Sequence, residues 1–220
     1  MGIPIIEILF EDEDLVAVNK PPFLPSHVTL DPSRPHLQGI LENQLNQKLT
    51  LFHRLDVDTT GIVLLGKSER IKKPMSELFL GRALEKKYWV VVEGRWLPMW
   101  TEVRTYIKKI GGKYCNTPKG SASERAVTKF KILHQSPDKS LIEATLETGK
   151  THQIRLHCLE MRHPVCGDRN YGTPDRAGVP LALHSRRLQF VHPITSKSLD
   201  ILAPLPDYWT EKWLRSDWKI

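Results

Sequence analysis

The feature that most constrains the fold is the way strand-like segments follow one another directly along the chain. Residues 5–10 and 15–19 are rich in apolar side chains, and an acidic turn at 11–14 separates them, so they predict a β-hairpin. Strands joined without a helical crossover pair antiparallel. Composition predicts further strands at 60–66, 88–93, 124–134, 141–147, 182–191 and 198–203.

Helical spacing of apolar residues is confined to a few segments. Helices are predicted near 37–45, at 68–82, at 151–162 and, as a short amphipathic segment, in the Trp-rich tail. Pro74 falls inside the second of these, where we expect the helix to restart with proline in its first turn. Residues 95–123 show too little periodicity to predict an element. The predicted fold class is α/β in the α+β sense, with a mixed, largely antiparallel central sheet and flanking helices.

The length and composition of the chain fit one domain. Its 220 residues are 40% hydrophobic, which supplies a substantial core. No repeat, low-complexity tract or shift of composition marks a boundary, so we expect residues 1–220 to form a single domain. The start of the chain lacks the pattern of a signal peptide, and no apolar run approaches the roughly 20 residues that span a bilayer. Three cysteines that are not closely paired fit a reducing compartment, so we expect a cytoplasmic protein without a membrane partner. A monomer is the default expectation for its oligomeric state.

The charge of the chain predicts an anionic partner. Lys and Arg total 32 against 25 Asp and Glu, which gives a net charge of +7 and a pI near 9.3. Nucleic acid is the simplest partner for such an excess. Metal chemistry is disfavoured, because the histidines and cysteines at 152–166 match neither a paired CxxC spacing nor HExxH. The Thr-Gly-Lys-Thr run at 148–151 lacks the earlier glycine of a phosphate-binding loop, so an NTPase is also disfavoured.

The run HRLDVDTTG at 53–61 places charged and hydroxyl side chains directly before an apolar strand. Asp56 lies where the chain enters the core, which would hold its backbone firmly, and Arg54 lies beside it. A rigid carboxylate next to a guanidinium is how a nucleophile or general base is built. The alternative is a loop aspartate that caps a turn, with Thr59 and Gly61 as ordinary turn residues.

A second polar cluster lies at 148–157, at the predicted start of a helix. Free backbone N–H groups and the helix dipole favour anions there. Its polar side chains, Lys150, Gln153 and Arg155 among them, could hold a phosphate or a carboxylate, although Lys150 taken alone is better explained as a surface residue. If Arg155 faces inward it needs a buried acid, for which Asp56 is the candidate.

Together these segments resemble the RluA-type RNA pseudouridine synthases, in a series that covers roughly residues 5–205. The matching segments are the opening hairpin at 7–21, the catalytic loop at 53–61, the tyrosine strand at 87–94, the arginine helix at 146–157, the loop at 163–172 and the closing strand at 183–193. Three departures stand out: Thr60 where serine is usual, Lys150 where arginine is usual, and Pro22-Phe23 where Ser-Gly is usual. We expect no separate N-terminal RNA-binding domain, so the catalytic body would capture the RNA.

The resemblance implies the pseudouridine synthase catalytic fold and the isomerisation of a specific uridine in tRNA or rRNA to pseudouridine. Asp56 would be the essential carboxylate and Arg155 its salt-bridge partner. Tyr88 would stack on the base and remove a proton, although an aromatic residue in a strand is, taken alone, more often part of a core. The reaction needs no cofactor and no metal.

The remaining site residues are expected to contact the RNA. The predicted substrate-binding residues are Arg54, His53, Thr60, Lys20, Lys150 and Gln153. Arg54 would fill the space vacated by the extruded uridine and stack on neighbouring bases. Lys20 and Lys150, with Arg186 and Arg187, would contact phosphates.

Two other functions remain open on the residues alone. A non-catalytic RNA-binding protein would use the same basic surface and would tolerate the loss of Asp56, because phosphate contacts do not need that negative charge. A carboxylate-dependent hydrolase such as a glycosidase usually needs two catalytic carboxylates. Asp58 is the candidate second carboxylate, although loop positions two residues apart tend to point apart.

Overall fold

The computed structural model describes residues 5–81, 83–97, 100–172 and 179–220. The chain forms two compact units. The first comprises Met1–Glu85 and Ser185–Leu205, and the second comprises Lys86–His184 and Pro206–Ile220. The expectation of a single domain over residues 1–220 stays a prediction.

The elements bear out the predicted class. The strands are β1 (Glu7–Glu11), β2 (Leu15–Lys20), β3 (Thr50–Leu51), β4 (Thr60–Gly66), β5 (Glu85–Glu93), β6 (Trp100–Ile110), β7 (Lys113–Thr117), β8 (Arg125–Gln135), β9 (Lys139–Leu146), β10 (Leu183–Val191) and β11 (Ser198–Leu202). The helices are α1 (Leu37–Leu45), α2 (Glu69–Gly81), α3 (Gln153–Glu160) and α4 (Asp207–Lys212), with a 3-10 turn at Ala122–Glu124. Every strand pair whose register is defined is antiparallel, which confirms the predicted α+β class.

Strand β4 is the centre of the first unit. β2 pairs along one edge of it, from Leu15 opposite Gly66 to Lys20 opposite Gly61, and β1 continues outward from β2 as the predicted hairpin. β3 and β10 neighbour β4, and β11 pairs with β10. All positions of β4 are buried, as expected for an apolar run at the centre of a sheet.

Helix α2 covers the core of the first unit. Ile71 and Met75 of the helix are fully buried against Ile62 and other apolar side chains of the sheet. The helix runs through Pro74 without a break, so the predicted restart at this residue is wrong. Proline inside a helix costs about 3 kcal/mol. Burying two large apolar side chains beside it, at about 1.5–3 kcal/mol each, offsets that cost.

Strand β9 is the centre of the second unit. It pairs with β5 and β8, β8 pairs with β6, and β6 pairs with β7. The hairpin of β6 and β7 lies within 95–123, where the sequence predicts no element. Its two-residue turn is Gly111-Gly112, with φ values of 57° and 82°, as a type I′ turn requires. The predicted tail helix is α4, and Trp209, Trp213 and Trp218 of the tail are buried.

Candidate active site

The predicted site residues divide between the two units. The first unit contains Lys20, His53, Arg54, Asp56 and Thr60, and the second contains Tyr88, Lys150, Gln153 and Arg155. The expected pairing of Asp56 with Arg155 joins residues of different units, and it stays a prediction. Within each unit, the contacts of the individual side chains show which of them are held rigidly and which are occupied by the fold.

Asp56 begins a tight turn that is held on both sides. Its carbonyl accepts the N–H of Thr59 at 3.1 Å. The buried Ser26 Oγ accepts the N–H of Leu55 at 3.1 Å and donates to the carbonyl of Leu55 at 2.9 Å. The residue before Asp56 is therefore clamped by a hydroxyl from the proline-rich loop at 21–36, a contact that no local pattern in the sequence indicates.

Lys20 joins the same turn to the loop that precedes α1. Its Nζ donates to the carbonyls of Pro21, Leu24 and Val57 at 3.0, 2.8 and 3.0 Å, and the side chain is fully buried. Three carbonyls occupy its three donors, so the expected phosphate contact is wrong and Lys20 is a tether of the loop. Burial lowers the pKa of Lys20 to about 7, an effect opposed by the charges of the two aspartates of the turn.

Gly61 lets β4 start against β10. Its φ is +102°, and a Cβ added there would lie 2.3 Å from the carbonyl oxygen of Ser185. Only glycine fits both the backbone conformation and the space. Thr60, the residue before it, is fully buried. This burial contradicts the expected contact of Thr60 with substrate, because its hydroxyl is not accessible to solvent.

His53 supports β4. Its Nε2 accepts the N–H of Leu64 at 3.0 Å, and its ring stacks on Phe79 of α2 with 5.2 Å between ring centroids. A nitrogen that accepts a hydrogen bond carries no proton, so the neutral ring is protonated on Nδ1. The imidazole thus continues the backbone pairing on this edge of β4, and the expected contact of His53 with substrate stays a prediction.

Arg54 differs from its neighbours in the run because it is exposed. Its Nη1 lies 3.1 Å from Nε2 of His27. Burial, and then the charge of Arg54, lower the pKa of His27, so the imidazole is neutral at pH 7 and can accept from the guanidinium. This contact orients Arg54 and leaves it accessible to RNA. Its role at the vacated position of the uridine stays a prediction.

Arg155 is locked to a buried acid of the second unit. Its Nε donates to Oδ2 of Asp168 and its Nη2 to Oδ1, both at 2.7 Å, and the two side chains are 4% and 0% exposed. Oδ1 also accepts the N–H groups of Asn170 and Tyr171 at 2.9 and 3.1 Å, and the guanidinium lies 5.1 Å from the Tyr171 ring centroid. The sequence predicts a buried acid for Arg155 but does not identify Asp168. The Gly167-Asp168 pair of the matching loop is the signal that could have found it.

Gln153 anchors the start of α3. Its Oε1 accepts from the Thr148 hydroxyl at 2.8 Å and from the N–H of Lys150 at 3.0 Å. Its Nε2 donates to the carbonyl of Val127 at 3.0 Å and to the Thr128 hydroxyl at 2.9 Å. The side chain is buried and all four of these positions are occupied, so the expected contact with substrate is wrong.

The same network continues through a buried histidine. His157 lies 2.9 Å from the Thr128 hydroxyl through Nδ1 and 2.9 Å from the Thr105 hydroxyl through Nε2. Thr105 donates to Oδ1 of Asn116 at 3.0 Å, and Nδ2 of Asn116 donates to the carbonyl of Leu156 at 2.8 Å. Burial lowers the pKa of His157 to about 4, so the ring is neutral at pH 7. The helix that carries the buried arginine is thereby tied to three strands.

Tyr88 and Lys150 keep their predicted roles as proposals. Tyr88 lies in β5 opposite Ala144 of β9 and is buried. Lys150 is half-buried, and its carbonyl accepts the N–H of Gln153 at 3.0 Å, which fixes its backbone at the entrance to α3. Neither contact assigns the Tyr88 hydroxyl or the Lys150 ammonium to RNA.

Two further arginines expected to contact phosphates have partners in the first unit. Arg187 donates to Asp200 through Nε at 2.7 Å, and Arg186 donates to the carbonyl of Ala203. Phosphate contacts by both residues stay predictions. In the ranges that the structure describes, no group of three or more His, Cys, Asp or Glu side chains could hold a metal ion. None of the described helices is long and apolar enough to cross a membrane.

Comparison with known proteins gives consistent matches. The family model described as RNA pseudouridylate synthase matches residues 14–160. An uncharacterised RNA pseudouridine synthase of Bacillus subtilis is 33% identical over 210 residues, covering 91% of this chain and 73% of its own. Ribosomal large subunit pseudouridine synthase C of Buchnera aphidicola is 33% identical over 219 residues, covering 91% and 68%. Human RNA pseudouridylate synthase domain containing 4 superposes with a TM-score of 0.74 at 26% identity, covering 92% of this chain and 90% of that one.

These matches establish the fold and the family of the chain. A second human structure, RNA pseudouridylate synthase domain containing 1, has a TM-score of 0.76 at 22% identity and supports the fold alone. Both confirm the predicted pseudouridine synthase fold, and the relatives place the protein among isomerases that act on RNA. The chain belongs to the RNA pseudouridine synthase family, as its RluA-type resemblance predicts.

Proposed function

We propose that this enzyme isomerises one specific uridine of a structured RNA and that Asp56 is the essential carboxylate. The observation that carries the proposal is the double clamp on the Asp56 turn, with Ser26 holding Leu55 and the Lys20 ammonium holding Val57. Preorganisation of this kind is what a reacting group needs, because a loosely held carboxylate loses its orientation to the sugar.

The chemistry explains why one rigid carboxylate is central. The bond between N1 of uracil and the sugar breaks, the base turns, and a bond forms from C5 to the same sugar carbon. C5 then loses a proton and N1 gains one, so there is no net change in oxidation state. By family resemblance, Asp56 acts at the bond that breaks, Tyr88 stacks on the base and takes the C5 proton, and Arg155 pairs with Asp56.

Access to the site requires an extruded nucleotide. Flipping a uridine out of a folded RNA costs a few kcal/mol. Arg54 is exposed and oriented by His27 at 3.1 Å, which suits a residue that occupies the vacated space and stacks on neighbouring bases. The net charge of +7 supports capture of the RNA backbone by the same chain.

Ribosomal RNA is the first substrate class to test. One similar protein is named ribosomal large subunit pseudouridine synthase C, which favours rRNA over tRNA as the first candidate. We also propose that the protein acts as a cytoplasmic monomer, which light scattering and cell fractionation would check. Mapping pseudouridine in total RNA from cells with and without the gene would identify the target uridine.

The decisive test compares two aspartates of one turn. Asp56→Asn should abolish isomerisation while leaving the melting temperature and RNA affinity near wild type, because the amide keeps the shape and loses the charge. Asp58→Asn is the matched control and should retain turnover. Pseudouridine yield on the mapped RNA and its dissociation constant are measured on the same preparations. Turnover by purified Asp56→Asn protein would refute the assignment of Asp56. Loss of turnover in Asp58→Asn but not in Asp56→Asn would show that Asp58 is the essential carboxylate instead.

A further inference from the structure

Phe23 is held in a backbone conformation that disfavours it. Its φ is +63°, and its side chain is 42% exposed. A bulky residue in the left-handed region is an outlier, whereas glycine adopts this region without strain. Residues kept in such conformations cluster at functional sites, where the surroundings over-determine them. An exposed aromatic ring at a position suited to glycine therefore indicates a use for the ring itself.

The surroundings of Phe23 fix its position relative to the catalytic turn. The Lys20 ammonium binds the carbonyls of Pro21 and Leu24, which lie on either side of Phe23 in the chain. The third hydrogen bond of the same ammonium reaches the carbonyl of Val57, directly after the proposed catalytic aspartate. One buried side chain thus ties the backbone on both sides of Phe23 to the turn that carries Asp56.

The chemistry of this surface fits RNA. The loop that carries Phe23 also exposes Val28 and Leu30, and His27 of the same loop contacts the exposed Arg54 at 3.1 Å. Aromatic rings and guanidinium planes are the groups on which proteins stack unpaired bases. An exposed ring on a rigid loop can stack without first being ordered, which lowers the entropic cost of binding.

We propose that Phe23 stacks on an unpaired nucleobase next to the extruded uridine and thereby selects the RNA. The proposal rests on the proposed function of the Asp56 turn. Because every base presents a similar aromatic face, the contact discriminates by structure more than by base identity. The enzyme would prefer uridines in loops or bulges, where a neighbouring base is free to stack, over uridines inside a continuous helix.

The test replaces the ring and controls for the backbone. Phe23→Gly removes the ring at a position where glycine is unstrained, and Phe23→Trp keeps an aromatic face. Ser196→Gly is the control, because Ser196 has a similar φ of +57° in the turn between β10 and β11. On a synthetic RNA loop carrying the mapped uridine, Phe23→Gly should raise KM about tenfold with kcat within about twofold of wild type. Phe23→Trp and Ser196→Gly should match wild type, and melting curves verify that each variant is folded.

A second arm identifies the base. The same RNA is made with an abasic nucleotide at each position flanking the uridine. One of these abasic RNAs should bind wild type about tenfold more weakly than the intact RNA does. The same abasic nucleotide should not weaken binding to Phe23→Gly, since that variant has already lost the stacking contact. Unchanged KM and affinity in folded Phe23→Gly would overturn the inference, as would equal abasic losses in both proteins. RNA that binds wild type in a Phe23-dependent way without being isomerised would refute the proposed function alone.

Discussion

Breaking the buried pair of Arg155 and Asp168 should destabilise the protein strongly, and replacing Asp168 should cost more than replacing Arg155. Removing one partner of a buried ion pair costs about 3–5 kcal/mol. Arg155→Met leaves the carboxylate two backbone N–H donors, at 2.9 and 3.1 Å, so we expect about 3 kcal/mol. Asp168→Asn turns an amide N–H toward a guanidinium N–H and leaves a buried cation unmatched, so we expect about 5 kcal/mol. At about 2–4 °C per kcal/mol for chains of this size, the melting temperature should fall by about 6–20 °C.

Calorimetry and urea denaturation of the single and double variants measure the effect. Arg155→Met with Asp168→Asn should be more stable than the sum of the single losses predicts, by a coupling energy of about 2–3 kcal/mol, since no unmatched charge remains. The control is the pair of Arg187 and Asp200, whose side chains are 40% and 45% exposed. The matching substitutions there should cost less than about 1 kcal/mol each. Equal costs at the buried and exposed pairs would refute the reasoning from burial.

The Arg155→Met variant also tests whether Asp56 is a second partner of Arg155, as predicted. If Asp56 also depends on Arg155, removing the arginine leaves the Asp56 charge unmatched. Adding Asp56→Asn to Arg155→Met should then recover part of the lost stability. If Asp56→Asn changes the stability of wild type and of Arg155→Met by the same amount, the two residues are not coupled and the predicted pair is wrong.

The remaining predictions concern a proton acceptor and a buried base. Tyr88→Phe preserves a stacking face and removes the hydroxyl, so RNA should bind normally while pseudouridine yield collapses; a near-normal yield would show that the hydroxyl takes no proton. His157 has a pKa of 6.5 in the unfolded chain and about 4 in the fold, so the unfolded chain binds the proton first as pH falls. Stability should therefore decline between pH 6.5 and 4, and His157→Gln should show a smaller decline in urea midpoints over that interval; identical slopes would contradict the assignment.

The composition of the chain and the spacing of its apolar residues predict much of the fold. The hairpin of β1 and β2, the buried strand β4 and helix α2 follow from apolar runs bounded by turn residues. The hairpin of β6 and β7 does not follow in this way. Its polar residues include Thr105 and Asn116, which are stabilised by hydrogen bonds to residues distant in sequence, so no local apolar pattern marks the strands. The Gly111-Gly112 turn was the usable signal there. Pro74 was misjudged because local propensity is outweighed by the burial of the helix face around it.

The candidate site, like the fold, could be predicted from the sequence only in part. Asp56 and Arg54 could be selected because they lie directly before an apolar strand and because the run at 53–61 resembles the catalytic loop of the family. Lys20 and Gln153 were assigned to substrate because their residue types suit RNA, but the fold uses their donors and acceptors internally. Whether a polar side chain faces solvent or a backbone carbonyl depends on segments far away in sequence. The partner of Arg155 was missed for the same reason, since a loop returns Asp168 to the helix.

The hydrogen bonds that run from Gln153 toward Asn116 have only one possible direction. The N–H of Lys150 and the carbonyl of Val127 fix which end of the Gln153 amide carries hydrogens. At the other end, Nδ2 of Asn116 donates to the carbonyl of Leu156, so Oδ1 of Asn116 accepts the hydrogen of Thr105. Nε2 of His157 must then donate to Thr105, which leaves Nδ1 to accept from the Thr128 hydroxyl. The amides of Gln153 and Asn116 together therefore fix the direction of every hydrogen bond between them. A substitution at one end, such as Gln153→Glu, would therefore leave the carbonyl of Val127 without its donor and remove the hydrogen that Thr128 accepts, while Asn116 still holds the ring proton of His157 on Nε2.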